Sequence, residues 1–116
     1  MLQIAVCDDN IDELSNMVQF INLYRSSKHL NCEYAVFTNG FNLVSALVKG
    51  KRFDIYCLDI IMPGFMGIDV AKEIRDFDKT APILFFTSSL EFALESYSVK
   101  AKEIKQQYLN YQMEGE

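Results

Sequence analysis

The chain has 116 residues, half of them hydrophobic and 23% charged, and its formal net charge is -5. This length and composition fit one domain with a hydrophobic core, and they exclude a disordered or fibrous protein. Because the net charge is negative and no dense Lys/Arg cluster is present, we expect this segment not to bind nucleic acid or an anionic membrane directly.

The first part of the chain alternates between two strands and two helices. Residues 2–7 (LQIAVC) form an apolar run that predicts a buried strand, and apolar residues at helical spacing then predict an amphipathic helix over residues 12–25. Its apolar positions are Leu14, Met17, Val18, Ile21 and Tyr24. Residues 32–37 predict a second strand, and a short helix follows and stops at Gly50. The apolar positions of the short helix are Phe41, Val44, Leu47 and Val48.

The next part repeats the alternation. Residues 53–58 predict a third strand. Pro63, Gly64 and Gly67 then break the chain, apolar residues from Ile68 onward predict a helix to about Phe77, and residues 83–86 predict a fourth strand that ends at Thr87. Most of these strands are continuous apolar runs, as expected when helices cover both faces of a sheet. The pattern predicts a doubly wound α/β domain with a parallel sheet.

The sequence also predicts a cytoplasmic protein. No apolar run is long enough to cross a bilayer, and two aspartates at positions 8 and 9 come too early for a signal peptide. The cysteines lie in apolar segments without Cys-x-x-Cys spacing, which favours buried free thiols in a reducing compartment. These cysteines are Cys7, Cys32 and Cys57.

Acidic residues follow the first and third predicted strands. Asp8 and Asp9 end the first, Asp59 ends the third, and Thr87 ends the fourth. Functional groups gather beyond the carboxyl ends of strands in such folds, so these carboxylates should meet and repel one another. Mg2+ would relieve this repulsion, and it favours a phosphoryl group as a further ligand. The expected chemistry is attack of a carboxylate on phosphorus, which gives an aspartyl phosphate.

Each acidic motif alone has a simpler interpretation. Asp59 alone could be a helix cap or a loop acid, and the pair Asp8 and Asp9 could cap the first helix. The combination is more specific, because every piece falls at the end of a predicted strand.

Three segments carry a resemblance to a known family. They are "AVCDDN" (5–10), "DIYCLDIIMPGFMGIDVAKEIR" (54–75) and "ILFFTSS" (83–89). With them the chain resembles the CheY-like receiver domain of two-component response regulators, a phosphoprotein of phosphorelay signalling. That implies a flavodoxin-like sheet with strand order 2-1-3-4. The stretch "LEFALESYSV" (90–99) is similar to receivers that precede LytTR-type DNA-binding domains, so we expect a role in transcription regulation and such a domain in a longer protein.

The resemblance implies a role for each matching position. Asp59 would be the phosphoacceptor, taking its phosphoryl group from a sensor histidine kinase. Asp8, Asp9 and Asp59 would hold Mg2+, with the main-chain carbonyl of Ile61 as a further ligand. Thr87 would supply the hydroxyl that switches towards the phosphoryl oxygens. The chain would then be a signalling switch and not an enzyme with turnover on a small substrate.

The end of the chain departs from the family pattern. The family has a fifth strand ending in Lys-Pro, but the lysine position falls on Gln107 and the proline position on Tyr108; Lys105 fits only in a shifted register. Residues 102–112 are rich in Lys, Glu and Gln, which favour helices over buried strands. An apolar heptad stripe runs through the last part of the chain, at Leu90, Leu94, Tyr97, Ala101, Ile104, Tyr108 and Tyr111.

We therefore treat residues 1–116 as one receiver domain, with an α/β core over residues 1–89 and one long helix over residues 90–112. The long helix would extend beyond the core and pair with a second copy. The alternative is that tertiary contacts impose a fifth strand over residues 102–106.

Two further functions are open to the same residues. The first is a pseudo-receiver that dimerises and whose phosphotransfer is impaired because the usual lysine is absent. The second is an aspartyl-nucleophile phosphatase, but such haloacid-dehalogenase-like enzymes need an aspartate two residues after the nucleophile, where Ile61 stands. We set the phosphatase aside.

Overall fold

The computed structural model describes residues 1–62 and 64–86, in which strands and helices alternate. The elements are β1 (Leu2–Cys7), α1 (Ile11–Lys28), β2 (Cys32–Phe37), α2 (Gly40–Val48), β3 (Ile55–Asp59), α3 (Gly67–Phe77) and β4 (Ile83–Phe86). The alternation predicted from the sequence is confirmed. The predictions for Thr87, for the helix over 90–112 and for the fifth strand over 102–106 lie outside the described residues. Among the described helices, none is both long and apolar enough to span a membrane.

The described strands form one parallel sheet in the order β2-β1-β3-β4, which confirms the predicted doubly wound architecture. The register places Cys7 beside Leu58 in the two central strands, and it places Asp59 beside Phe86. Because β1, β3 and β4 end at nearly the same level, the residues that follow them share one edge of the sheet.

Each face of the sheet has its own apolar core, since successive strand side chains point to opposite faces. In β3, Tyr56 and Leu58 pack in the core beneath α2 and α3, whereas Cys57 lies in the core beneath α1. The buried α1 residues are Leu14, Met17 and Ile21. The prediction of buried free thiols is confirmed for Cys7, Cys32 and Cys57.

The end of α1 differs from the prediction. The helix continues through the polar residues to Lys28, because His29 terminates it in the left-handed conformation, at φ 52°, and its amide donates a hydrogen bond to the carbonyl of Arg25. Tyr24, which the helical spacing placed on the buried face, is half exposed.

The buried face of α2 was also predicted wrongly in part. Leu43 and Leu47 are fully buried, but Phe41 and Val48 are 61% and 67% exposed. Six of the eight residues from position 41 to position 48 are apolar. Helical spacing therefore does not identify the buried face of α2. That face is determined by where α3 and the sheet lie.

Candidate functional site

The structure brings together the three carboxylates that the sequence placed at strand ends. Asp8 follows β1, Asp9 comes next, and Asp59 is the last residue of the neighbouring strand β3. One carboxylate oxygen from each residue lies within 4.8 Å of the other two. Oxygen ligands this close form a set that a hard divalent cation can use.

The three aspartates differ sharply in exposure. Asp8 is 1% exposed and is the one buried charged residue among those that the structure describes. Asp59 is half buried, and Asp9 faces solvent. Burying a carboxylate is costly unless hydrogen bonds or a cation offset its charge. The burial of Asp8 therefore calls for a compensating partner.

None of these aspartates caps a helix, so the helix-cap interpretation of the acidic motifs is wrong. The side chain of Asn10 caps α1 by accepting hydrogen bonds from the amides of Asp12 and Glu13, at 2.9 and 3.1 Å. Asp8 instead accepts a hydrogen bond of 2.9 Å from the amide of Asn10. The residue before α3 is Met66, which makes no capping bond with its side chain. The Asp59 carboxylate therefore takes no part in helix capping and lies at the edge of the sheet.

Burial raises the pKa of two of the carboxyl groups. The pKa of Asp8 rises to about 7, first through burial and then through the negative charges of Asp59 and Asp9, although the Asn10 amide opposes the rise. The pKa of Asp59 rises to about 6, again chiefly through burial, against hydrogen bonds from the Ile61 amide and the Asp8 side chain. Full ionisation of the cluster near neutral pH is therefore unfavourable unless a cation is bound.

Ile61 and Thr87 are the other two predicted site residues. Ile61 lies two residues after Asp59, in the loop that leads to α3, and its amide donates a hydrogen bond to the Asp59 carboxylate. Thr87 is outside the described residues; it directly follows Phe86, the register partner of Asp59.

Next to Asp8 along the chain, two buried sulfur atoms form a pair that the sequence did not single out. Cys7 directs its thiol towards the sulfur of Met62, at 3.8 Å, and both side chains are buried. Burial, followed by the charges of Asp8, Asp59 and Asp9, raises the pKa of Cys7 to about 12. The thiol therefore stays protonated and packs in the apolar core.

The loop after Asp59 is anchored by a close backbone contact. The amide of Gly67 donates a hydrogen bond of 2.7 Å to the carbonyl of Ile60. A Cβ atom at position 67 would collide with the carbonyl oxygen of Asp59. The sequence signal for this contact is a glycine at the first position of a helix, where glycine is not needed for the helix itself.

Comparison with known proteins agrees with the fold and identifies the family. A family model described as "Response regulator receiver domain" matches residues 4–108. The sensory transduction protein LytT of Oceanobacillus iheyensis is 43% identical over 68 residues, which are 58% of this chain and 26% of that protein. The accessory gene regulator protein A of Staphylococcus epidermidis is 30% identical over 101 residues, which are 85% of this chain and 42% of that protein.

The similarity reaches beyond bacteria but covers only part of each relative. Transcription factor SKN7 of Candida albicans is 35% identical over 60 residues, which are 52% of this chain and 11% of that protein. The chain spans less than half the length of the curated relatives that it matches.

Solved structures show the same fold. The receiver domain of a Clostridium thermocellum response regulator superposes with a TM-score of 0.69 at 20% identity, over 89% of this chain and 79% of that one. The Vibrio cholerae chemotaxis protein CheY4 gives 0.64 at 25% identity, over 89% and 83%. The chain of a Borrelia burgdorferi CheX-CheY complex with beryllofluoride and magnesium gives 0.69 at 22% identity, over 88% and 75%.

Proposed function

Because this chain belongs to the response regulator receiver domain family, we propose that Asp59 accepts a phosphoryl group from a phosphohistidine of a sensor histidine kinase. The observation that carries the proposal is the convergence of Asp8, Asp9 and Asp59 within 4.8 Å, with Asp8 buried and capping no helix. A buried carboxylate beside a strand-end carboxylate is costly to the fold, and a site for phosphoryl transfer explains that cost.

The transfer step is a displacement at phosphorus. An oxygen of the Asp59 carboxylate forms a bond to phosphorus while the bond between phosphorus and the histidine nitrogen breaks. The electron pair of that bond returns to the imidazole, which takes a proton from solvent. The hydrogen bond from the Ile61 amide helps to hold the Asp59 carboxylate in one orientation during the attack.

A magnesium ion fits the chemistry of this donor set. Asp8, Asp9 and Asp59 offer carboxylate oxygens, and the main-chain carbonyl of Ile61 offers another hard oxygen ligand. When bound, Mg2+ supplies positive charge that offsets the carboxylates and the phosphoryl oxygens. Because Asp8 is buried, water screens its charge less than it would at the surface. Its attraction to a cation in the site is therefore stronger.

The proposed output is a signalling switch in the cytoplasm, without turnover of a small substrate. Thr87 would move its hydroxyl towards the phosphoryl group and so connect the site to the residues after it. The relatives named as regulators and transcription factors are longer than this chain, and they support a role in transcription control. In a longer protein the receiver would precede a LytTR-type DNA-binding domain, and the receiver itself would make no contact with DNA or membrane.

Beryllofluoride tests the phosphoacceptor role, because it mimics a phosphoryl group on a carboxylate. We expect fluorine NMR to show bound beryllofluoride on the wild-type chain only when Mg2+ is present, and not on Asp59→Asn. Asp54→Asn is the matched control, since Asp54 lies just before the same strand and binds the amide of Gln3 away from the site. Binding that survives Asp59→Asn, or no binding at all, would contradict the proposal.

A second candidate function is a receiver fold used for dimerisation with impaired phosphotransfer. The sequence supports it with Gln107 in place of the family lysine and with the apolar stripe over residues 90–112. The observation that favours it is an apolar groove of about 310 Å³ beside α1, which opens on the face opposite α2 and α3. The stripe of a second copy would cover this groove. A chain that is dimeric yet never phosphorylated would favour this candidate.

A further inference from the structure

The carboxylates lie at the ends of the paired strands β1 and β3, but the Ile61 carbonyl lies in the β3–α3 loop, and we propose that a pair of aromatic rings holds this loop in position beside them. Phe65, packed against Gly40 and Phe41 of α2, acts as a positioning residue for the loop that carries Ile61. The proposal rests on the proposed function, because it concerns the affinity of that same site for a divalent cation.

The aromatic contact joins the start of α2 to the loop between β3 and α3. The ring centroids of Phe41 and Phe65 are 4.8 Å apart, and their planes are inclined at 46°. A Cβ atom at Gly40 would lie 3.2 Å from Cδ2 of Phe65 and would overlap the side chain of Val70. Gly40 therefore allows the Phe65 ring and α3 to approach the backbone of α2 more closely than any other residue would.

The described residues of the β3–α3 loop are anchored to several elements. The buried side chain of Met62 contacts the Cys7 sulfur of β1 at 3.8 Å, and the hydrogen bond from Gly67 to Ile60 joins the two ends of the loop. The Ile61 side chain is 49% exposed, so its own packing does not fix the main chain that offers the carbonyl ligand. Phe65 is half buried against the core, and its ring contact with Phe41 ties the loop to α2.

The start of α2 is in turn tied to the strand that ends at Asp8. The amide of Asp8 donates a hydrogen bond of 3.1 Å to the carbonyl of Phe37, the last residue of β2. Two residues later, Asn39 caps α2 by accepting a hydrogen bond of 2.9 Å from the amide of Asn42. These contacts connect Asp8 to α2 through the end of β2. The contact between Phe41 and Phe65 then connects α2 to the β3–α3 loop.

Burial does not account for a phenylalanine at position 41. It is 61% exposed, so burial alone does not explain a large aromatic residue on the first turn of α2. Its removal should leave most of the folding stability intact, because little of its surface leaves water on folding. Removal of the ring should instead weaken cation binding by Asp8, Asp59 and the Ile61 carbonyl, because this binding depends on the position of the loop.

The test is the affinity of the full chain for Mg2+ alone, measured by isothermal titration calorimetry. We expect Phe41→Ala to raise the dissociation constant for Mg2+ by about three- to tenfold, the range set by an aromatic pair. Phe41→Leu keeps a bulky contact with Phe65 and should recover most of the affinity. Val48→Ala is the matched control, because Val48 is similarly exposed at the other end of the same helix.

Thermal unfolding without Mg2+ separates positioning from folding, and Phe41→Ala should unfold close to wild type. With acetyl phosphate, the variant should need more Mg2+ for half-maximal phosphorylation but reach the wild-type rate at saturation. If wild type binds Mg2+ and Phe41→Ala binds it equally well, the positioning role is overturned and the proposed function stands. An equal loss in Val48→Ala also overturns the positioning role. If wild type binds no Mg2+, both proposals fail.

Discussion

Gly67, the first residue of α3, lies directly against the main chain of Asp59. A Cβ atom at position 67 would come within 2.8 Å of the Asp59 carbonyl carbon and would collide with its oxygen, while the Gly67 amide holds the carbonyl of Ile60 at 2.7 Å. The backbones at the end of β3 and the start of α3 are thus in direct contact. This contact fixes the main-chain position of Asp59.

Gly67→Ala should therefore destabilise the domain. The added methyl group meets backbone atoms, which cannot rotate away as a side chain can, so we expect the free energy of unfolding to fall by about 1 to 3 kcal/mol. This loss should exceed the small gain that alanine gives to helix propensity. Urea denaturation measures it. Glu73→Ala on the exposed face of α3 is the control, with a change within about 0.5 kcal/mol. Equal stabilities of the two variants would show that the contact is not tight.

Much of the fold could be predicted because each strand appears in the sequence as an apolar run that ends at polar residues. The runs at residues 2–7 and 83–86 coincide with the observed strands, and Asp59 was placed at the end of β3. In a parallel sheet those ends share one edge by topology alone, so the meeting of Asp8 and Asp59 followed without any contact being known.

Other features depend on tertiary contacts that a sequence does not display. The end of α1 was set by the left-handed conformation of His29, which a polar run of serine and lysine did not reveal. The sequence could not show that Asp8 is buried while Asp9 is exposed, because both follow the same strand. The contact of Phe41 with Phe65 also joins elements 24 residues apart (65 minus 41), beyond the reach of local patterns.

Without divalent cations, the folded protein should become more stable as the pH falls from about 8 towards 5. In the folded state burial raises the pKa of Asp8 to about 7 and that of Asp59 to about 6, from an ordinary value of 3.8. A raised carboxyl pKa means that the folded state binds the proton more tightly, so its stabilisation is fully present below the unfolded pKa and is lost as the pH rises through the folded value. Thermal unfolding in a chelator at both ends of this range measures the effect.

The matched variant for this dependence is Asp8→Asn. Asparagine can still accept the hydrogen bond from the Asn10 amide through its side-chain oxygen, but it carries no titratable charge. We expect a higher melting temperature than wild type near pH 8 and a flatter pH profile. Added Mg2+ should stabilise wild type more near pH 8 than near pH 5, because protons compete with the metal for the carboxylates. A wild-type profile that slopes the other way would contradict the burial argument.

The apolar stripe over residues 90–112 should make the chain dimeric. This stripe lies outside the described residues, and the prediction rests on its heptad spacing together with the groove beside α1. Light scattering should give a dimer for wild type and a monomer for Tyr108→Asp, which places a charge on the stripe. Gln106→Asp, which lies off the stripe, should remain dimeric. A monomeric wild-type chain would remove the dimerisation hypothesis.

The most direct test of the account is the intact mass of the chain after incubation with acetyl phosphate. In the presence of Mg2+, wild type should gain one phosphoryl group, and peptide mapping should place it on Asp59. Chelation should abolish the gain because it removes Mg2+, and Asp59→Asn should abolish it because it removes the acceptor. Asp8→Asn should strongly reduce the gain, because it removes one of the three clustered carboxylates. No gain in wild type, or an unchanged gain in Asp59→Asn, would contradict the assignment of Asp59 as the phosphoacceptor.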